Sequence, residues 1–322
     1  MLQINDLSFA YEDEKIIDSL DLRVDKGRIL ALTGKSGCGK STLVSLIYGY
    51  LEPDQGKISW NGKWIRPPSK KLVPGENGVN LLLQESDLMP YTSVASNVKK
   101  KLSRAEPVGS DKRCDELLKV VDLLGFKERL VKDLSGGQKK RVSIASSLAD
   151  DPALILLDEP FNYIDHHIKY ELRRRFFSYV KDQGITCLFV SHEKEEFLSF
   201  ADEVAILSDQ RIIKKGLPKE VFENPRYIEV AQLLDDVNIL SLGPKAKRKV
   251  VIYPHELIIG DESDHIFKVK VQNSFYRGAD HLHQAVSEAN KKIFFTDRHH
   301  LPHNSIQYLK VSNSNALKRY VI

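Results

Sequence analysis

The sequence predicts an α/β protein built on a parallel sheet, followed by a small all-β module. Three observations predict it. Short apolar strands such as Arg28–Thr33, Leu154–Leu157 and Thr186–Val190 alternate with helical patterns, the arrangement that gives parallel neighbours. The first of these strands runs into a glycine-rich loop and then a helix, as a phosphate-binding loop requires. Finally, the composition changes near residue 235: residues 235–322 hold 13 Lys/Arg and 9 Asp/Glu and so carry the whole net charge of +4, while the first 234 residues balance to zero.

The N-terminal stretch alternates apolar and polar residues at Leu2, Ile4, Leu7 and Phe9, and again at Leu20, Leu22 and Val24, around an acidic turn at Glu12–Asp13–Glu14. This is strand patterning. Ser41 onward (STLVSLIYGYL) reads as a helix, Pro53–Gly56 as a turn, and Lys57–Trp60 and Val79–Leu83 as strands. Residues 92–134 look mostly helical and charged. A linker is expected around Gly243-Pro244 and the basic run Lys245, Lys247, Arg248 and Lys249. Strands are expected beyond it at Val250–Tyr253, His265–Gln272, Lys292–Phe295 and Ile306–Val311. The domain division is therefore 1–236 and 243–322.

Bulk properties exclude several classes. The 322 residues contain no run of 18 or more apolar residues, so no bilayer span is expected. The first residues lack a basic start followed by an apolar stretch, and a cytoplasmic protein is expected. Cys38, Cys114 and Cys187 are isolated, which suits reduced thiols rather than a zinc site. The net charge is too weak to argue for nucleic acid. His281, His283, His299, His300 and His303 fit no standard ligand spacing and read as a solvated basic surface. Arg173-Arg174-Arg175 and Lys99-Lys100-Lys101 read as solvated helix faces.

The chemistry concentrates in three strings. Gly34-Lys35-Ser36-Gly37-Cys38-Gly39-Lys40-Ser41-Thr42 fits G-x-x-x-x-G-K-[ST]. Its glycines let successive N–H groups point at a β-phosphate, Lys40 adds charge at the β/γ-phosphates, and the Ser41 hydroxyl can ligate Mg²⁺. Leu154-Ile155-Leu156-Leu157-Asp158-Glu159 ends an apolar strand in two carboxylates at the ligand-facing end of a parallel sheet. Asp158 is placed to hold Mg²⁺ through water, and Glu159 to activate an attacking water. In Leu134-Ser135-Gly136-Gly137-Gln138, Ser135 reads as a helix N-cap, and the glycines bare the first amides of the helix Lys139–Leu148 to an anion.

Together these strings resemble the ATP-binding subunit of ABC transporters over roughly residues 1–240, and Leu134–Gln138 matches that family's signature without change. The resemblance implies a P-loop NTPase core with a helical subdomain, an N-terminal antiparallel β subdomain and a C-terminal OB-like domain. It implies ATP and Mg²⁺ as ligands and a head-to-tail homodimer, in which Ser135, Gly136 and Gly137 contact the γ-phosphate held by the other subunit. Tyr11 takes the place of an aromatic that stacks on adenine, Gln84 that of the glutamine sensing Mg²⁺ and water, His192 that of the switch histidine, and Asp165 that of the aspartate at the dimer seam.

Departures are Lys35 for a proline, Asn162-Tyr163-Ile164 for Ser-Ala-Leu, and Lys139 and Lys140 for glutamines. None is expected to touch a catalytic role, though the second bears on dimer communication. Arg211–Gly216 and Leu217–Pro225 look like the closing elements of importer subunits. Tyr253-Pro254-His255-Glu256 is similar to the Arg-Pro-Glu element opening the small barrel of importers for polyamines, ferric iron, sulfate or sugars, without its arginine. The expected function is ATP hydrolysis by Lys40, Glu159 and His192, coupled to solute movement. Permease subunits at the cytoplasmic face of the cell membrane and an external solute-binding protein would be the partners. A soluble ABC-type ATPase usually carries two cassettes or a long coiled coil, both absent here, and the presence of Glu159 and His192 argues against a non-hydrolysing regulator.

Overall fold

Apolar runs of five residues bounded by turns form strands buried on both faces, and they set the core of the first half of the chain. The computed structural model describes residues 1–83, 88–102, 107–241, 249–313 and 316–321. The chain divides into two compact units, Met1–Pro218 and Lys219–Ile322.

The first unit opens with β1 (Leu2–Tyr11), β2 (Glu14–Val24), β3 (Ile29–Thr33), α1 (Lys40–Tyr48), β4 (Gln55–Trp60), β5 (Lys63–Trp64) and β6 (Val79–Leu82). Helices α2 (Val94–Lys99), α3 (Pro107–Val120) and α4 (Gly136–Ser147) follow. The unit closes with β7 (Leu154–Asp158), α5 (His166–Asp182), β8 (Thr186–Val190), α6 (Lys194–Phe200), β9 (Glu203–Ser208) and β10 (Arg211–Gly216).

Two sheets result. β2-β1-β4-β5 is antiparallel, and its inward side chains Leu2, Ile4, Leu7, Ile17, Leu20, Leu22 and Ile58 join one apolar core with Leu30, Leu32 and the α1 residues Leu43, Val44 and Ile47. The second sheet has the order β10-β9-β3-β8-β7-β6 and is parallel except at β10. Every residue of β3, β7 and β8 is buried, as expected of parallel strands covered on both faces. Among the described residues, no helix is long and apolar enough to cross a membrane.

The second unit contains α7 (Pro218–Glu223, entering from the boundary), α8 (Ile228–Leu234), β11 (Asn238–Ser241), β12 (Lys249–Ile252), β13 (Leu257–Ile259), β14 (Phe267–Tyr276), β15 (His281–Ser287), β16 (Lys292–Asp297), β17 (Ile306–Val311) and β18 (Tyr320–Val321). Its sheets run β11-β12-β18 and β13-β17-β14-β15-β16. Val250, Ile252, Leu257, Val271, Ala285, Phe295 and Leu309 pack between them. The observed division lies ahead of the composition change because α7 and α8 pack on this β unit: Phe222, Ile228 and Ala231 cluster with Val251, Tyr253 and Val321. Residues 243–248 of the expected linker lie outside the described residues.

His283 corrects the expectation of a solvated histidine surface. It is fully buried on β15, bonded at 2.8 Å to the Ser274 hydroxyl and packed on Phe295. Burial lowers its basicity. Among the described residues, no group of three His, Cys, Asp or Glu is placed to hold a metal.

The Tyr253-Pro254-His255-Glu256 element is a clamp. Arg319 donates to both Glu256 oxygens, at 2.7 and 2.9 Å, while the Tyr253 amide donates to the same carboxylate at 2.8 Å. The guanidinium also lies over the Tyr253 ring, 4.7 Å from its centroid. Burial pushes the Glu256 carboxyl up, but the bonds from Arg319 and the Tyr253 amide outweigh it and bring the group below its usual value. This stabilisation is complete above the ordinary glutamate pKa and is lost as pH falls through the lowered folded value. Arg319→Ala should therefore cost about 3 kcal/mol at neutral pH and flatten the acid limb of stability against pH. Denaturant melts of the full chain across pH measure both; an acid limb unchanged in the variant would show that the clamp does not contribute to it.

Candidate active site

Topology brings the three chemical strings to one edge. β8 lies between β3 and β7 in a parallel sheet, so the loops leaving the carboxyl ends of these strands are neighbours. Register makes this specific: Leu32 pairs with Val190, and Val190 with Asp158.

The loop after β3 is tightly wound. A Cβ on Gly34 would lie 2.2 Å from the Leu207 carbonyl oxygen, and one on Gly39, whose φ is 100°, would lie 2.7 Å from Ile16 Cγ2. Only glycine fits either position. Gly39 caps α1, and Lys40 opens it. The buried Lys40 ammonium donates to the Gly34 and Lys35 carbonyls at 2.9 and 2.8 Å and approaches Cys38 Sγ at 3.8 Å. Lys35, Ser36, Gly37 and Ser41 are exposed, and Thr42 is half-buried.

Asp158 ends β7 almost fully buried, with Ser41 bonded to its carboxylate and Oδ1 without a hydrogen-bond partner. Burial raises its pKa, and neighbouring Glu159 adds to the shift against Ser41, Lys140 and Lys40. A buried carboxylate oxygen that nothing satisfies is costly in a closed core. At the mouth of a phosphate loop it is suited to a hard cation.

Glu159 follows in the left-handed region, φ 46°, a conformation that costs a non-glycine residue about 1–3 kcal/mol. Its amide donates to the Val190 carbonyl at 3.2 Å. One carboxylate oxygen meets His192 Nδ1 at 3.2 Å, and the other accepts from the Asn162 amide nitrogen.

His192 itself is exposed, but the loop carrying it is anchored. Its neighbour Glu193 accepts from Lys169 at 2.6 Å and Arg173 at 2.5 Å, both on α5, and its amide donates to Ser191 Oγ at 3.0 Å. Arg173 was expected on a solvated face. Instead it is 2% exposed, bonded to Glu193 and buried Glu196, because its partners lie on the far side of β8 in sequence.

The signature turn is a separate feature. Ser135 and Gln138 form a reciprocal capping box: Gln138 N donates to Ser135 Oγ at 3.2 Å, and Ser135 N to Gln138 Oε1 at 3.0 Å. Ser135 and Gly136 are exposed. A Cβ on Gly136 would meet nothing within 4 Å, whereas one on Gly137 would lie 3.0 Å from the Tyr163 carbonyl oxygen. Among the described residues, no hydrogen bond or ion pair joins this turn to the Gly34–Thr42 loop. Asp165 stands exposed at the start of α5. Tyr11 ends β1, 48% exposed and edge-on to Phe9 at 4.8 Å. Gln84 lies outside the described residues.

Two departures expected to touch no catalytic role reach the carboxylates. Asn162 bonds Glu159, and Lys140 is buried on α4 with its ammonium donating to the Leu83 carbonyl at 3.0 Å and Asp158 and Glu159 acting on its charge. Burial lowers the Lys140 pKa against those two anions.

Residues 17–162 match the family model described as ABC transporter. Solved structures similar to the chain include a nucleotide-free ATP-binding cassette from an ABC transporter, at 23% identity and TM-score 0.60, covering 72% of this chain and 98% of that one. A dimeric ATP-binding cassette, MJ0796, in a post-hydrolysis state with ADP and Pi, is similar at 21% identity and TM-score 0.58, over 68% and 99%. CbiO1 from Clostridium perfringens, part of the ABC transporter complex CbiONQ, is similar at 28% identity and TM-score 0.60, over 69% and 90%.

Cys38 gives the loop a chemical handle. Burial pushes its thiol up, against the pull of the Lys40 ammonium, so alkylation should be slow at neutral pH and accelerate as pH rises beyond the ordinary thiol range. ATP should protect it, and modification should block ATP binding. Nucleotide affinity of the alkylated chain, beside Cys38→Ala, measures this; normal ATP binding by fully alkylated protein would place the nucleotide elsewhere.

Proposed function

We propose that this chain, whose residues 17–162 match the ABC transporter family model, is the ATP-hydrolysing subunit of an importer, working as a homodimer beneath a membrane permease. One observation supports this reading: Lys40 and Ser41, Asp158 and Glu159, and His192 converge at the carboxyl ends of three adjacent strands, while the capped helix start at Ser135 is exposed and, among the described residues, makes no hydrogen bond or ion pair to the Gly34–Thr42 loop.

The residues divide the work of ATP + H₂O → ADP + phosphate. The Gly34–Thr42 amides and Lys40 bind the phosphates, with phosphate oxygens competing for the Lys40 bonds now made to Gly34 and Lys35. Mg²⁺ would be held by Ser41 and Asp158, whose unpartnered Oδ1 fits a hard cation. When bound it neutralises charge on the β- and γ-phosphate oxygens. Gln84 is assigned a share of that role by the family resemblance. Glu159 takes a proton from the attacking water as the oxygen–phosphorus bond forms and ADP departs. His192 fixes the opposite face of that carboxylate and turns toward the γ-phosphate. Tyr11 stacks on adenine.

The signature turn completes the site of a second copy. The exposed start of α4 at Ser135 and Gly136, with the α4 dipole behind it, suits a γ-phosphate, and Asp165 lies at the seam. Two sites are thus shared between two head-to-tail chains. ATP closes this dimer, hydrolysis reopens it, and the permease follows that motion. An external solute-binding protein and the permease select the solute. The subunit sits at the cytoplasmic face of the membrane, and residues 243–322 act as a regulatory module.

Glu159→Gln should bind ATP, trap the closed dimer and lose about 10²–10⁴ in turnover; near-normal steady-state phosphate release would remove the base assignment. Sharing of sites is tested by mixing a Ser135→Arg chain with a Lys40→Ala chain, two inactive proteins whose mixed dimer holds one intact site. Recovered ATPase activity is expected, and none in verified mixed dimers would refute a shared site.

A further inference from the structure

The Glu159 carboxylate is gripped from both sides, and one grip comes from a residue outside the expected machinery. Asn162 stands where the family resemblance places a serine. Its amide nitrogen donates to the Glu159 oxygen opposite the one that meets His192. The backbone makes this contact rigid. The Asn162 amide donates to the Glu159 carbonyl at 3.3 Å, closing a four-residue turn with Pro160 and Phe161 buried inside it. Phe161 is 1% exposed, packed against Phe176 and Phe177 at 5.7 Å each and beneath the Arg173 guanidinium at 5.8 Å. Left-handed residues bracket the segment, Glu159 at φ 46° and Tyr163 at φ 65°. Position 162 is therefore fixed against the core, and its side chain reaches back to the carboxylate three residues earlier.

We propose that Asn162 is a positioning residue for Glu159, holding one carboxylate oxygen so that the carboxylate presents a single orientation to the attacking water. This rests on the reading of Glu159 as the base. A serine is one bond shorter than asparagine between Cβ and its donor and carries one donor hydrogen rather than two. A glutamate's last torsion has broad, shallow wells, so each bond to the carboxylate narrows the orientations it can take. A donor to a charged group restrains it more strongly than a neutral bond would. Asn162 acts through Glu159 alone, so its removal should affect the chemical step and leave nucleotide binding intact.

The test uses the full chain. Asn162→Ala should lower kcat about ten- to hundredfold, the size of a lost hydrogen bond to a charged group, with KM for ATP changed by no more than about twofold. Asn162→Asp keeps the shape but sets a second carboxylate against Glu159, and should lose at least as much. In a Glu159→Gln background, Asn162→Ala should add no further loss of single-turnover hydrolysis, because two residues acting through one function are not additive. Unchanged ATP affinity verifies that each variant is folded. Full kcat in Asn162→Ala or Asn162→Asp, or a loss that multiplies in the Glu159→Gln background, overturns the proposal while leaving the base assignment intact. Near-normal turnover of Glu159→Gln overturns the base assignment itself, and the positioning role with it.

Discussion

The register of β3, β8 and β7 is the constraint on which the rest of the site depends. Leu32, Val190 and Asp158 stand in one row across three parallel strands, and the functional loops begin within two residues of it. Strand side chains alternate faces with a period of two, so a slip of one residue at β7 would turn Asp158 to the opposite face. The strands cannot slip cheaply, because all fifteen of their residues are buried. Packing on both faces thus fixes the position of a carboxylate that packing alone would exclude.

That carboxylate shows the cost of the arrangement. Asp158 is nearly dry, raised in pKa by burial and by Glu159, and one of its oxygens has no hydrogen-bond partner. Two buried lysines, Lys40 from the phosphate loop and Lys140 from α4, offset part of this charge. The Lys40 bonds to Gly34 and Lys35 are made to neutral carbonyls, which a phosphate oxygen outcompetes by charge. A network with unsatisfied negative charge and cations on weak partners gains more from a metal–phosphate ligand than a neutral pocket would.

Much of this was legible in the sequence, and what was not has a common physical cause. The phosphate loop, the strand ending in Asp158-Glu159 and the signature cap are local strings whose geometry follows from neighbouring residues. β3, β7 and β8 announced themselves as unbroken apolar runs. β15 did not, because its inward positions are His281, His283 and Ala285, which carry little hydrophobic signal. Helices α7 and α8 fall within the expected range 1–236 of the first domain, yet Phe222, Ile228 and Ala231 pack on Val251, Tyr253 and Val321. Arg173 read as surface charge, and Lys140 as a departure without a catalytic role, because their partners Glu193, Glu196 and Leu83 lie 20, 23 and 57 residues away in the chain. Long-range pairing converts a charge run into buried structure, and periodicity has no means of registering it.

The same distinction separates the reaction from its control. Groups assigned to the chemistry sit on local motifs, so their presence follows from short strings. Groups that hold those motifs in place come from elsewhere: Arg173 and Lys169 anchor the segment after His192 from α5, Lys140 ties α4 to the end of β6, and Asn162 meets Glu159 across a turn pinned by Phe161. These supports link the loop carrying His192 to α5, and α4 to the end of β6. A displacement of either helix therefore acts directly on the loops that hold the carboxylate and the histidine, by moving charged bonds rather than by deforming the close-packed sheet.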